Sequence, residues 1–276
     1  FIIAVSLTSS FKAQVLTPKA SPIAKIQQKV GLADIQIDYS RPSVNGRVIF
    51  GELIPYGQMW RLGANENTKI TSSEALIFGK DTLKAGTYAL FAKPGENNWE
   101  FYFYKDYSNW GLPEKWDDSK VALKVSASAG ISKEFTENLT LQFEELKSSS
   151  AKITLTWAQT KVTLPFALDT KTKVLASIDK TMAGPSANDY HQAATYYFNE
   201  NLDLKKALEW STKAVEMRGT SAYWMTRLKA QLQAANGDFK GAIETAKLSM
   251  EAAKADGDDA YVLANQKSIE EWSKKR

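Results

Sequence analysis

Residues 153–157 read ITLTW and residues 139–143 read LTLQF, and in both segments apolar and polar residues alternate. Residues 34–39, DIQIDY, alternate in the same way. A period of two residues is typical of a β-strand with one buried face and one wet face. Similar segments recur between turn residues from residue 21 to residue 169. The pattern predicts an antiparallel β-sandwich or barrel, of which we expect the sandwich.

Three dipeptides in this region predict turns, because glycine adopts positive φ without a steric cost. They are Asn45-Gly46, Ala85-Gly86 and Pro94-Gly95. Asn45-Gly46 is also the clearest signal for a β-hairpin.

After Asp169 the period changes to that of a helix, and alanine, lysine and glutamate become frequent. Ser186 with Asp189 predicts a capped helix start. The segment that begins at Asn201 returns 35 positions later at Asn236, a period typical of stacked helical hairpins. The spacing resembles the tetratricopeptide pattern. We therefore expect an α+β multidomain protein whose second domain is an all-α tetratricopeptide-like stack, with a surface for a protein or peptide partner.

Composition excludes several classes of function. The 276 residues carry a net charge of +4 without a polybasic run, which argues against a nucleic-acid partner. The chain has no cysteine and a single histidine, His191. Disulfides, thiol nucleophiles, iron–sulfur clusters and cysteine-bearing zinc sites are therefore excluded. We predict neither a metal nor a cofactor.

The first residues, FIIAVSLTSSFKAQ, are typical of the apolar core of a secretory signal. We expect residues 1–20 to be a truncated signal peptide and linker, residues 21–170 the sandwich, and residues 171–276 the helical domain. No later segment has the roughly 20 apolar residues that span a bilayer. The expected location is the periplasm or the exterior.

Several short motifs between residues 40 and 88 occur together. They are SRP at 40–42, IFG at 49–51, PYG at 55–57, WR at 60–61, GANE at 63–66 and AGTY at 85–88. In this combination the chain resembles an exported bacterial family, the domain of unknown function numbered 2911, over about residues 21–170. The resemblance implies an origin in Bacteroidetes-type bacteria, a leader before the sandwich, and no established activity.

The segment from Tyr39 to Thr68 concentrates polar and aromatic residues between short apolar segments. Loops of this kind often carry the binding groups of a scaffold. If its arginines converge, their planar guanidinium groups suit an anionic ligand. The alternative is structural, with Arg61 paired to Glu66 and Trp60 in the core. The candidate ligand-binding residues are Arg41, Arg47, Tyr56, Trp60, Arg61, Asn65 and Glu66.

A second candidate surface is the loop that follows the segment WEFYFY at residues 99–104. Its aromatic residues Tyr107, Trp110 and Trp116 are suited to stacking on a sugar or a peptide. Long loops in compact domains are often functional. Core packing is the alternative for these side chains.

These features favour a ligand-binding or protein-binding module of the cell envelope. One alternative is a periplasmic hydrolase of glycans or peptides, with Glu66 as general acid or base and Glu52 as the nearest second carboxylate. Another is a purely structural assembly module. The sandwich domain has no histidine and no recognised catalytic motif, so the balance is against an enzyme.

Overall fold

A computed structural model describes residues 17–182 and 184–275 of the chain. Residues 1–16, which hold most of the expected signal segment, lie outside the described residues. The chain divides between Thr170 and Lys171 into two compact units.

The first unit is built on an antiparallel sheet, with nine strands among the described residues. Its strands stand in the order β1-β2-β3-β6-β7-β8-β9-β4-β5. Their bounds are β1 Ile23–Val30, β2 Ala33–Ser40, β3 Lys69–Ser72, β4 Leu76–Phe78, β5 Asp81–Leu83, β6 Gly86–Lys93, β7 Asn98–Tyr104, β8 Val121–Glu144 and β9 Ser150–Ala167.

The sheet has two halves that share the long strand β8. Its residues 121–128 pair with β7, and its residues 129–144 pair with β9. The halves face each other across one apolar core, where the rings of Phe78 in β4 and Phe103 in β7 lie 5.1 Å apart. The predicted sandwich is thereby confirmed, and the alternating apolar residues form its inner faces.

The segment from residue 41 to residue 68 joins β2 to β3 and contains no strand. Asn45 and Gly46 both adopt positive φ and form the predicted turn. The hairpin prediction is wrong, because Ser43 pairs with Asn138 of β8 and Trp60 pairs with Ala92 of β6. Pairing with distant strands replaces local pairing, so the segment extends from β8 to β6.

The second unit contains six helices within residues 170–182 and 184–275. They are α1 Thr170–Thr181, α2 Ala187–Asn199, α3 Leu204–Arg218, α4 Tyr223–Ala235, α5 Phe239–Asp256 and α6 Asp259–Ser273. Ser186 and Asp189 form the predicted capping box of α2. Helices α2 to α6 stack in chain order, and small residues such as Ala214 and Ser249 are fully buried where helices pack closely. The expected C-terminal helical stack is therefore present.

Candidate functional site

A surface pocket of about 440 Å³ lies along the segment between β2 and β3. It contains four of the seven predicted ligand-binding residues: Arg47, Trp60, Arg61 and Asn65. Its lining includes two arginines and no aspartate or glutamate among the described residues. The other lining residues are Ala20, Ser21, Pro42, Ser43, Asn45, Leu53, Ile54, Gly63, Ala64 and Trp157.

Two tryptophans form the apolar base of the pocket. Trp60 and Trp157 stack with a centroid distance of 5.8 Å and an angle of 16° between their planes. Both are buried, and the indole N–H of Trp60 donates to the carbonyl of Gly63 at 3.1 Å. Trp60 is therefore a core residue beneath the pocket. The contribution of Trp157 was not predicted, because it lies almost 100 positions further along the chain, in β9.

The Asn45-Gly46 turn presents Arg47 at one side of the pocket. Arg47 folds back on the turn, where Nε donates to the carbonyl of Val44 at 3.0 Å and Nη2 donates to that of Ser43 at 2.6 Å. These bonds fix the plane of the exposed guanidinium group. Its Nη1 atom has no protein partner among the described residues and remains available to a ligand.

Arg61 is held at another side by its own loop. Its Nη1 donates to the carbonyl of Asn65 at 2.8 Å, and Asn65 has a φ of 58°. The guanidinium group also lies against Gly111, where an added Cβ would come within 2.7 Å of Nη1. Neither Arg47 nor Arg61 has an ion-pair partner among the described residues. The pocket therefore retains uncompensated positive charge.

Arg41 does not line this pocket. Its Nε donates to the carbonyl of Leu139 at 2.9 Å, and its Nη2 donates to the hydroxyl of Thr140 at 2.7 Å. These bonds attach the end of β2 to β8. Tyr56 also lies outside the lining, with its ring beside Gly51 and 42% of its surface exposed.

Glu66 lines a separate, narrow recess of about 40 Å³ with Asp38, Tyr39 and Lys69. Its carboxylate pairs with Lys69 at 3.7 Å, so the proposed Arg61–Glu66 pair is not formed. Glu52 is exposed and belongs to neither cavity. The two carboxylates considered for hydrolysis are therefore outside the arginine pocket.

The three other candidate aromatic residues lie in the loop after β7 and differ in their burial. Trp116 covers the outer face of the sheet, with its ring 4.7 Å from that of Tyr104, and belongs to a small second core. Trp110 and Tyr107 are 66% and 43% exposed. Trp110 immediately precedes Gly111, so this loop reaches the guanidinium group of Arg61.

The described residues contain no group of three or more His, Cys, Asp or Glu side chains arranged to hold a metal ion. Among the same residues, no helix is both long enough and apolar enough to cross a membrane.

A family model described as "Protein of unknown function (DUF2911)" matches residues 21–166, which is more than half of the chain. The matched range includes Arg47, Arg61, Trp110 and Trp157. No curated protein and no solved structure matches the chain.

Proposed function

The chain belongs to the DUF2911 family, and from this premise we propose that residues 21–170 form a ligand-binding module whose pocket takes a small oxyanion. One observation carries the proposal: Arg47 and Arg61 line a single pocket whose described lining holds no carboxylate. Guanidinium groups bind carboxylates and phosphates through paired, charge-assisted hydrogen bonds. A bound anion would supply the negative charge that the described lining lacks.

The donors around the pocket support the same ligand class. Nη1 of Arg47, and Nε and Nη2 of Arg61, have no hydrogen-bond partner among the described residues. The bonds that Arg47 and Arg61 do make to backbone carbonyls hold each group in place before a ligand arrives. Such preorganisation lowers the entropic cost of binding.

The test is isothermal titration of the whole chain with inorganic phosphate and with acetate at low ionic strength, where surface charges are least screened. Arg47→Ala and Arg61→Ala should each lower the affinity at least about tenfold, since one charged contact is worth about 1.4 kcal/mol or more. Arg218→Ala, which removes an exposed arginine at the end of α3, is the charge-matched control and should bind like the wild type. A folded Arg61→Ala that retains wild-type affinity would contradict the proposal.

We further propose that this module acts outside the cytoplasm of a Bacteroidetes-type bacterium and that the helices dock a protein partner. The apolar segment at residues 1–14 supports export. The 35-residue repeat and the stacking of successive helices support a tetratricopeptide-like docking surface. Fractionation of the native host, followed by detection of the chain in the periplasm or medium, tests the location. Recovery only in the cytoplasm would contradict it.

A further inference from the structure

Trp110 is the most exposed aromatic residue among the large exposed apolar side chains of the described residues. Its 66% exposure contrasts with Trp116, six positions later in the same loop, which packs against the sheet. An indole ring in water gives no folding stabilisation from burial. An exposed aromatic ring that also carries a polar N–H is suited to contact a ligand that is partly apolar and partly polar.

Trp110 does not line the arginine pocket, but its loop reaches the guanidinium group of Arg61 through Gly111. The N–H of Gly111 donates to Oδ1 of the buried Asn67 at 2.9 Å, which fixes the backbone next to Trp110. The close approach of Gly111 to Nη1 of Arg61 limits the distance between that atom and the Cα of Trp110 to about 8 Å, given standard backbone dimensions. A ligand of sugar size can span a distance of this order.

The loop is also held further along the chain, at Trp116. Trp116 packs on Tyr104 and donates its indole N–H to Asp118 at 2.8 Å. Trp110 is thus exposed on a loop that is anchored after it, at Gly111 and at Trp116. A stacking surface on an anchored loop loses little conformational freedom on binding.

We propose that the ligand of this pocket is an acidic saccharide, a pyranose that carries a carboxylate or phosphate group. This inference rests on the oxyanion-binding function proposed above. The anionic group binds Arg61 and Arg47, while the C–H face of the sugar ring packs on the indole of Trp110. Specificity for an acidic sugar needs both contacts, because a bare anion does not pack on the indole and a neutral sugar does not form ion pairs with the guanidinium groups.

Titration of the whole chain with five probes separates the contributions: D-glucuronate, glucose 6-phosphate, D-glucose, acetate and inorganic phosphate. Glucuronate should bind at least about tenfold more tightly than acetate and D-glucose, and glucose 6-phosphate more tightly than inorganic phosphate. Comparison of the affinities for glucuronate and glucose 6-phosphate shows whether the pocket prefers a carboxylate or a phosphate group. Trp110→Ala should lower the affinity for both acidic sugars about tenfold and leave the affinity for inorganic phosphate unchanged. Trp110→Phe, which keeps an aromatic ring, should lose less affinity for the acidic sugars than Trp110→Ala.

The matched control is Trp224→Ala, which removes a half-exposed tryptophan from α4 and should leave all affinities unchanged. Two results would overturn the inference: acidic sugars that bind no more tightly than the corresponding ions, or a folded Trp110→Ala with wild-type affinity for them. In both cases Arg61-dependent binding of phosphate would still support the proposed oxyanion site. Phosphate binding that does not depend on Arg61 would instead contradict the proposed oxyanion-binding function itself.

Discussion

The hydroxyl of Tyr39 and the backbone of Leu141 form a reciprocal pair of hydrogen bonds. The N–H of Leu141 donates to the phenolic oxygen at 2.9 Å, and the phenol donates to the carbonyl of Leu141 at 3.3 Å. Both residues are buried and stand 102 positions apart in the chain. One side chain thus joins β2 in one half of the sandwich to β8 in the other.

Tyr39→Phe should lower the free energy of unfolding of the sandwich by about 1–3 kcal/mol, because it leaves a buried N–H and a buried carbonyl without this partner. Urea denaturation followed by tryptophan fluorescence measures the change. Tyr56→Phe is the matched control. Because the ring of Tyr56 is partly exposed, this substitution should change the free energy of unfolding by no more than about 0.5 kcal/mol. Equal stabilities for the two variants would show that the reciprocal bonds contribute nothing.

Gly111→Ala should weaken phosphate binding, because the new Cβ would displace the guanidinium group of Arg61. The residue also has a φ of 86°, so backbone strain of about 1–3 kcal/mol is expected as well. Gly57→Ala separates the two effects: its φ is 74°, but an added Cβ meets no atom within 4 Å. We expect both variants to be destabilised and only Gly111→Ala to lose affinity in titration.

Whereas Arg61→Ala should lower the phosphate affinity, Arg41→Ala should lower the stability of the sandwich and leave its phosphate affinity unchanged. It removes two charge-assisted bonds to β8, which are worth about 1.5–3 kcal/mol of stability in total, and leaves the pocket lining intact. Chemical denaturation and phosphate titration on the same preparation measure both quantities. A loss of phosphate affinity in a folded Arg41→Ala would mean that all three arginines serve one site.

Glu66→Gln tests the hydrolase alternative. Glu66 forms a partly exposed ion pair with Lys69 and does not line the arginine pocket, so the substitution should change stability by less than about 1 kcal/mol and leave phosphate affinity unchanged. Any glycan or peptide hydrolysis by the wild type that disappears in Glu66→Gln would support an enzyme. Lys69→Ala breaks the same ion pair while keeping the carboxylate, and it is the control for effects of the pair alone.

The helical unit should lose stability at high pH through Tyr223. Partial burial and hydrogen bonds to Asp258 and Asp256 raise the pKa of its hydroxyl to about 12, from a usual value of 10.0. Because the pKa is higher in the folded state, the stabilisation is complete below pH 10 and is lost as the pH rises towards 12. Denaturation followed by far-UV circular dichroism at pH 8 and pH 11 should show a smaller loss for Tyr223→Phe. An identical loss in both proteins would exclude this residue as the cause.

The strands of the sandwich were predictable because burial imposes a period of two on the sequence. Residues 34–39 and 153–157 show this period, and their apolar members are buried as expected. The path of β8 was not predictable from turn signals. This strand continues through one register irregularity in its pairing with β7 and two in its pairing with β9, and it exposes Ile131 and Phe135, so its length depends on both pairings.

The pocket was predictable only in part, for a geometric reason. A sequence shows that Arg41, Arg47 and Arg61 are close along the chain, but the backbone bonds of each arginine decide its direction. Pairing of Ser43 with β8 separates Arg41 from the pocket and brings the segment beside Trp157. Residues supplied by distant strands, such as Trp157, have no local signal that links them to the arginines.

The shared strand β8 also determines how the sandwich opens. Its backbone amides belong to the ladder with β7 at one end and to the ladder with β9 at the other. Separation of either half therefore disturbs a strand on which the other half depends. In amide hydrogen exchange, the core strands β7 and β9 should behave as one cooperative foldon whose slowest amides open with the same free energy.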